Sequence, residues 1–197
     1  MSTFRRAATI AAATSVVLLG TAAAASAQTV ALRDAHHDVW KSTDNAQTFT
    51  AVPKQSAADV TKASLSYDGK TVVFTEHFVN LRKADLGDVY TLGLRTDTGL
   101  RRVAVVRVIR PEWAGTAWMA KPSNATQPLP CSGLAEHLAY GRDTLRIAVP
   151  ASCLKNPRWV QFTEENIHIK SSTLWYVDNP MNSQAKPRSW SPQVHKG

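Results

Sequence analysis

Short runs of alternating apolar and polar residues recur along the chain, and no stretch sustains the 3.6-residue apolar period of a helix. Ala63, Leu65 and Tyr67 alternate with polar neighbours, Asp68-Gly69 follows, and Lys70 to Val79 returns as a second run. Asp-Gly between two such runs predicts a hairpin, because both residues tolerate the positive φ of a tight primed turn. A second hairpin is expected where Asp88 to Arg95 puts Tyr90, Leu92 and Leu94 on one face and Thr96 to Gly99 turns the chain. The returning run, Arg101 to Arg110, is apolar on both faces for part of its length, which predicts a central strand ended by Pro111.

Glu112 to Lys121 reads as a short strand and the Pro/Ser/Asn/Gln stretch up to Pro130 as a loop. A third hairpin joins Leu134 to Tyr140 with Thr144 to Val149 through Gly141-Arg142-Asp143. Cys131 lies just before it and Cys153 just after, so antiparallel pairing would bring the two thiols together at one end. Trp159 to Thr163 and Asn166 to Lys170 read as two strands around a Glu164-Glu165 kink, with a last strand near Trp175. Eight to ten short strands with regular turn signals predict an all-β fold, an antiparallel β-sandwich of jelly-roll or immunoglobulin-like form, with a barrel as the structural alternative.

The N-terminus sets the expected address. Met1 to Arg6 is short and basic, Ala7 to Gly20 is apolar, and Ala25-Ser26-Ala27 is a small-x-small cleavage signal. Together they form a secretory signal peptide over residues 1–27. Its apolar run falls short of the about 20 residues that a spanning helix needs, so no membrane span is expected. The expected organisation is one sandwich domain over 28–180 and a polar, flexible tail over 181–197, in a secreted, extracellular protein. The two cysteines are then expected as a Cys131–Cys153 disulfide, since an even pair in an exported chain oxidises and the wide spacing suits no metal motif. The chain carries a formal net charge of +8. Its cations are scattered rather than blocked and no nucleic-acid motif accompanies them, so nucleic acid is not an expected partner.

Val149-Pro-Ala-Ser-Cys153-Leu-Lys-Asn-Pro157-Arg-Trp-Val160, and Ala58-Asp-Val60 followed after the Asp68-Gly69 turn by Phe78-Val-Asn-Leu81, resemble stretches in a group of exported proteins of high-GC Gram-positive bacteria. The resemblance covers most of the chain after residue 27 and implies an exported β-sandwich. Its general form is also similar to the sugar-binding and redox-associated sandwiches of the ninth carbohydrate-binding-module and DOMON types. Neither likeness carries catalytic residues onto this sequence.

Candidate chemistry is sparse. Asp34 and Asp38, joined by Asp178 and Asn179 if the termini lie together, offer hard oxygen ligands for calcium; His36 and His37 suggest a softer metal, but adjacent strand residues face opposite ways. Glu76-His77 and Glu136-His137 lack the HExxH spacing of zinc proteases, Ser132 is not in a nucleophile elbow, and no glycine-rich loop opens a helix. Glu112, Glu164 and Glu165 are the carboxylates to consider for a hydrolase. Six tryptophans remain. Trp40, Trp159 and Trp175 are expected in or near the core, and Trp190 exposed in the tail. Trp113 and Trp118 are expected to close one end of the core, with an exposed stacking pair for sugar rings as the functional alternative. The favoured reading is a non-catalytic binder of a glycan or cell-wall polymer; the alternatives are a hydrolase, or a protein-interaction or inhibitor domain using the Asn124–Pro130 loop.

Overall fold

The computed structural model describes residues 27–44, 48–83, 85–180 and 189–197. The signal peptide expected over 1–27 lies outside them except for its last residue. In chain order the strands are β1 (Gln28–Arg33), β2 (Trp40–Ser42), β3 (Thr50–Ala51), β4 (Val60–Tyr67) and β5 (Thr71–Phe78). They continue with β6 (Gly87–Thr96), β7 (Arg101–Ile109), β8 (Glu112–Lys121), β9 (Asn124–Leu129) and β10 (Ala135–Ala139). The last four are β11 (Thr144–Pro150), β12 (Trp159–Ile169), β13 (Trp175–Asp178) and β14 (Val194–His195). All pair antiparallel in two sheets that form a β-sandwich. The smaller sheet runs β1-β4-β5-β11-β10, and the larger runs β3-β2-β13-β12-β6-β7-β8-β9, with β14 joined to β12.

The turns are where the local chemistry puts them. Gly69 and Gly99 take φ values of 86° and 74° at the β4–β5 and β6–β7 connections, which only a residue without Cβ adopts freely. β7 lies between β6 and β8, as its two-sided apolar sequence predicts. Inward side chains of both sheets meet in one core, where Phe74 and Phe162 pack edge-to-face at 5.5 Å and Phe78 and Tyr90 at 5.7 Å. The Cys131–Cys153 bridge is present, with its Cα atoms 5.4 Å apart, at the open end of the β10–β11 hairpin and against the rim of the core.

Three expectations change. The Asn124–Pro130 stretch is not a loop: β9 pairs with β8 at Met119↔Leu129 and Lys121↔Asn124, giving the larger sheet its edge. Trp159 to Ile169 is one unbroken strand with no kink at Glu164-Glu165, and its burial alternates along its whole length. The polar tail is anchored at its end. Val194 is buried and pairs with Val160, and the Ser191 amide donates to the Phe162 carbonyl at 2.8 Å. Trp190 is therefore half-buried, its ring 4.7 Å from the Arg95 guanidinium carbon rather than free in solvent. Residues 181–188 of that tail lie outside the described residues.

Candidate functional site

Two strands carry acids into the interior in phase with their apolar residues. On β5, Val72, Phe74, Glu76 and Phe78 share the inner face, and Glu76 is completely buried. On β12 the inner face reads Val160, Phe162, Glu164, Asn166 and His168, so the strand changes from apolar to polar halfway along. The two faces meet across the sandwich. The Asn166 amide nitrogen donates to Glu76 Oε1 at 2.6 Å and to Glu164 Oε2 at 3.0 Å. Burial raises both carboxyls, and the neighbouring Glu76 charge pushes Glu164 further, well above the usual carboxylate range. The Asn166 amide thus bridges the two buried carboxyls.

At this polar end lie the three aspartates singled out from the sequence. Asp34 and Asp38 sit on the connection between β1 and β2, and Asp178 closes β13 beside Asn166. One carboxylate oxygen from each falls within 4.8 Å of the others. Asp178 is fixed by the Val60 and Asn179 amides, each donating at 2.7 Å, and Asp34 Oδ1 accepts from the Ala35 amide at 2.9 Å. Asp34 Oδ2 and both oxygens of Asp38 are buried without a hydrogen-bond partner. Burial and the charge of Asp38 drive Asp34 up to about 7, and burial, against the Val60 hydrogen bond, takes Asp178 to about 8. Asp59, fully buried just before β4, accepts the His37 amide at 3.1 Å and is raised by burial and left with one unpartnered oxygen. The histidines do not join the cluster: His37 turns toward Asp59 at 3.8 Å, and both rings are largely exposed. The sequence reading named Glu76 and Glu164 only as candidate catalytic carboxylates and joined neither of them, nor Asp59 or Asn166, to the aspartates. For Glu76 and Glu164, the available signal was their phase with Phe74 and Phe162.

The buried histidine has a different setting. His168 Nδ1 lies 2.7 Å from Asp88 and Nε2 3.0 Å from Asp85, so both ring nitrogens face carboxylates. Burial pulls this imidazole down, but the two aspartates outweigh it and hold it above its ordinary value. Both ring nitrogens are thus engaged by carboxylates, and among the described residues no hydroxyl or thiol is hydrogen-bonded to this imidazole.

The outer face of the larger sheet offers the accessible relief. Trp113 and Trp118 do not form a pair, since an odd offset along β8 points them to opposite faces. Trp113 packs against the core, and its carbonyl accepts the Tyr140 hydroxyl at 2.8 Å. Trp118 faces outward, its indole nitrogen donating to the Ala125 carbonyl at 2.8 Å. It stands between two hollows. One, of about 290 Å³, is lined by Arg107, Glu112 and Thr116; the other, of about 540 Å³, has Val89, Thr91 and Val105 as its floor and Pro128 at its edge. A third hollow of about 280 Å³ continues past Thr91 and Ala125 to Gly93, Thr163 and Glu165. The second shares Arg107 and Trp118 with the first and Thr91 and Ala125 with the third, so the three adjoin in a trough across β12, β6, β7, β8 and β9. Of the candidate hydrolase carboxylates, Glu112 lies at one end of the trough and Glu165 at the other, and the Glu164 carboxyl points into the core with Glu76. They assemble no acid–base pair. No protein-family model matches the chain, and no characterised protein matches it significantly.

Proposed function

We propose that the protein is an exported, non-catalytic β-sandwich that binds a glycan or cell-envelope polymer along the trough on the outer face of its larger sheet. The observation that carries this reading is Trp118. Its ring is presented on an outer face, locked by a hydrogen bond to Ala125, and flanked by apolar floor on one side and by Arg107 and Glu112 on the other. A pyranose needs just such a mixture: a flat apolar surface for its C–H face and fixed polar groups for its hydroxyls. Locking the indole beforehand reduces the side-chain entropy lost on binding. An open trough of three connected hollows suits several units of a chain better than one small molecule. The basic balance of the chain favours acidic polymers over neutral ones. The ordered three-part N-terminal segment supports export, and Gln28, the residue after the cleavage signal, begins β1.

Retention on a panel of immobilised neutral and acidic polysaccharides tests the proposal, comparing the secreted chain with Trp118→Ala and Arg107→Ala. The expected result is retention on at least one acidic polymer, weakened about tenfold or more by Trp118→Ala at unchanged circular dichroism. Equal retention of the parent and Trp118→Ala would overturn it.

A further inference from the structure

We infer that Asp34, Asp38 and Asp178 form a binding site for a divalent cation of the calcium type, which ties the β1–β2 connection to the end of β13 and so clamps one sheet to the other. The site is independent of the trough on the opposite side of the larger sheet.

The geometry fits the ion. Calcium takes oxygen ligands at about 2.3–2.6 Å, so two ligand atoms on opposite sides of it stand about 4.6–5.2 Å apart. A mutual spread within 4.8 Å therefore lets all three oxygens reach one ion of this size. The donors are carboxylates alone, which selects a hard cation over zinc or copper. Magnesium demands tighter octahedral packing at about 2.0–2.1 Å and gives up its water reluctantly, so a buried cluster of protein oxygens suits calcium better.

Burial supplies the second, independent observation. Behind the three aspartates stand Glu164 and Asn166, each 2 % exposed, and Glu76, at 0 %. Glu164 Oε1, Asn166 Oδ1 and Glu76 Oε2 have no hydrogen-bond partner. Among the described residues no lysine, arginine or histidine forms an ion pair with any of these acids. Several buried carboxylates sharing no cation repel one another and lose hydration together. A divalent ion removes both costs. The amides of Val60, Asn179 and Ala35 orient Asp178 and Asp34 but leave lone pairs free, whereas Asp38 makes no hydrogen bond through its side chain. Asp38 is therefore a ligand with no evident role in folding the apo chain.

That asymmetry gives a test whose sign changes with the ion. Thermal unfolding of the secreted chain and of Asp38→Asn is followed in EDTA, in millimolar calcium and in millimolar magnesium, with bound metal measured after desalting. Calcium at a hundred times Kd should raise the parent Tm by about 5–10 °C, and magnesium by much less. Asp38→Asn should melt above the parent in EDTA, because it removes a repelling charge, and below it in calcium, because it removes a ligand. Asp34→Asn should likewise lose most of the calcium shift. The inference is overturned if calcium and EDTA give the parent one Tm, or if Asp38→Asn is the more stable chain in both media. Polysaccharide retention by the calcium-free chain, read separately, reports on the trough and not on this site.

Discussion

Removing the Cys131–Cys153 bridge should cost the protein about 3.4 kcal/mol, and the cost should lie in the unfolded chain. The cysteines are 22 residues apart, and closing a loop of that length removes chain entropy corresponding to about that free energy at 25 °C. Little native energy should be lost with it. The β10–β11 pairing from Ala135↔Ala148 to Ala139↔Thr144 already brings the two ends of the hairpin together, and Ala151 and Leu154 bury the turn around Cys153. The test is urea unfolding of the Cys131→Ala/Cys153→Ala double variant against the oxidised parent. The midpoint should fall while the urea dependence steepens, because an uncrosslinked chain exposes more surface when unfolded. On heating, about 3.4 kcal/mol corresponds to a Tm lower by about 7–14 °C for a domain of this size. A loss below about 1 kcal/mol, or a lower midpoint with an unchanged urea dependence, would refute the entropic account. Binding in the Trp118 trough should be unaffected, since both sulfurs sit on the core side.

Gly87→Ala should destabilise the fold by about 3 kcal/mol in chemical denaturation, because φ is +147° and the added Cβ would lie 2.0 Å from the Val108 carbonyl oxygen, a backbone atom of the paired strand that cannot swing away; a loss under 1 kcal/mol would mean that β6 and β7 can separate there. Asp97 accepts from the Arg158 side chain at 2.8 Å and its amide at 3.1 Å, and these bonds hold its carboxyl below the usual 3.8. The folded value lies below the unfolded one, so this contribution is present above about pH 4 and fades as the carboxylate protonates at lower pH. The Tm gap between the parent and Asp97→Ala should accordingly be constant from pH 7 to 5 and narrow below pH 4; a gap independent of pH would show that Asp97 acts without its charge.

What was legible in the sequence was what depends on near neighbours. Asp68-Gly69 and Thr96 to Gly99 specify their hairpins through backbone conformations available locally, and the disulfide followed from a hairpin with a cysteine at each end. β9 was hidden because Pro, Asn and Gln on an edge strand look like a loop; an edge strand has one unpaired side where a missing amide hydrogen costs nothing. The β12 reading failed for a different reason. Two strands around a Glu164-Glu165 kink were expected, whereas the structure keeps the phase of Val160 and Phe162 through both acids and turns Ile167 and Ile169 away from the core. Three of the acids were marked as a group from a guess that the chain ends meet. Glu76 and Glu164 were considered as catalytic carboxylates, but their burial went unread because it contradicts the rule by which the pattern is read, and such contradictions gather where a ligand compensates them.

β12 is also the element that makes the two sites compatible. Its inner face gives Glu164 and Asn166 to the acid cluster, its outer face gives Thr163 and Glu165 to the trough, and its register with β6 runs from Val160↔Thr96 to Ile169↔Gly87. A slip of one residue would exchange the faces, placing Thr163, Glu165 and Ile167 against the core and three polar groups in solvent. Apolar burial alone discriminates poorly between these registers over the second half of the strand, where Ile167 and Ile169 would gladly face inward. The hydrogen bonds from Asn166 to Glu76 and Glu164, and the His168 contacts to Asp88 and Asp85, exist in one register only. The polar contacts at this end of the core thus favour one alignment of β12, and that alignment keeps the outer-face residues of the trough in order.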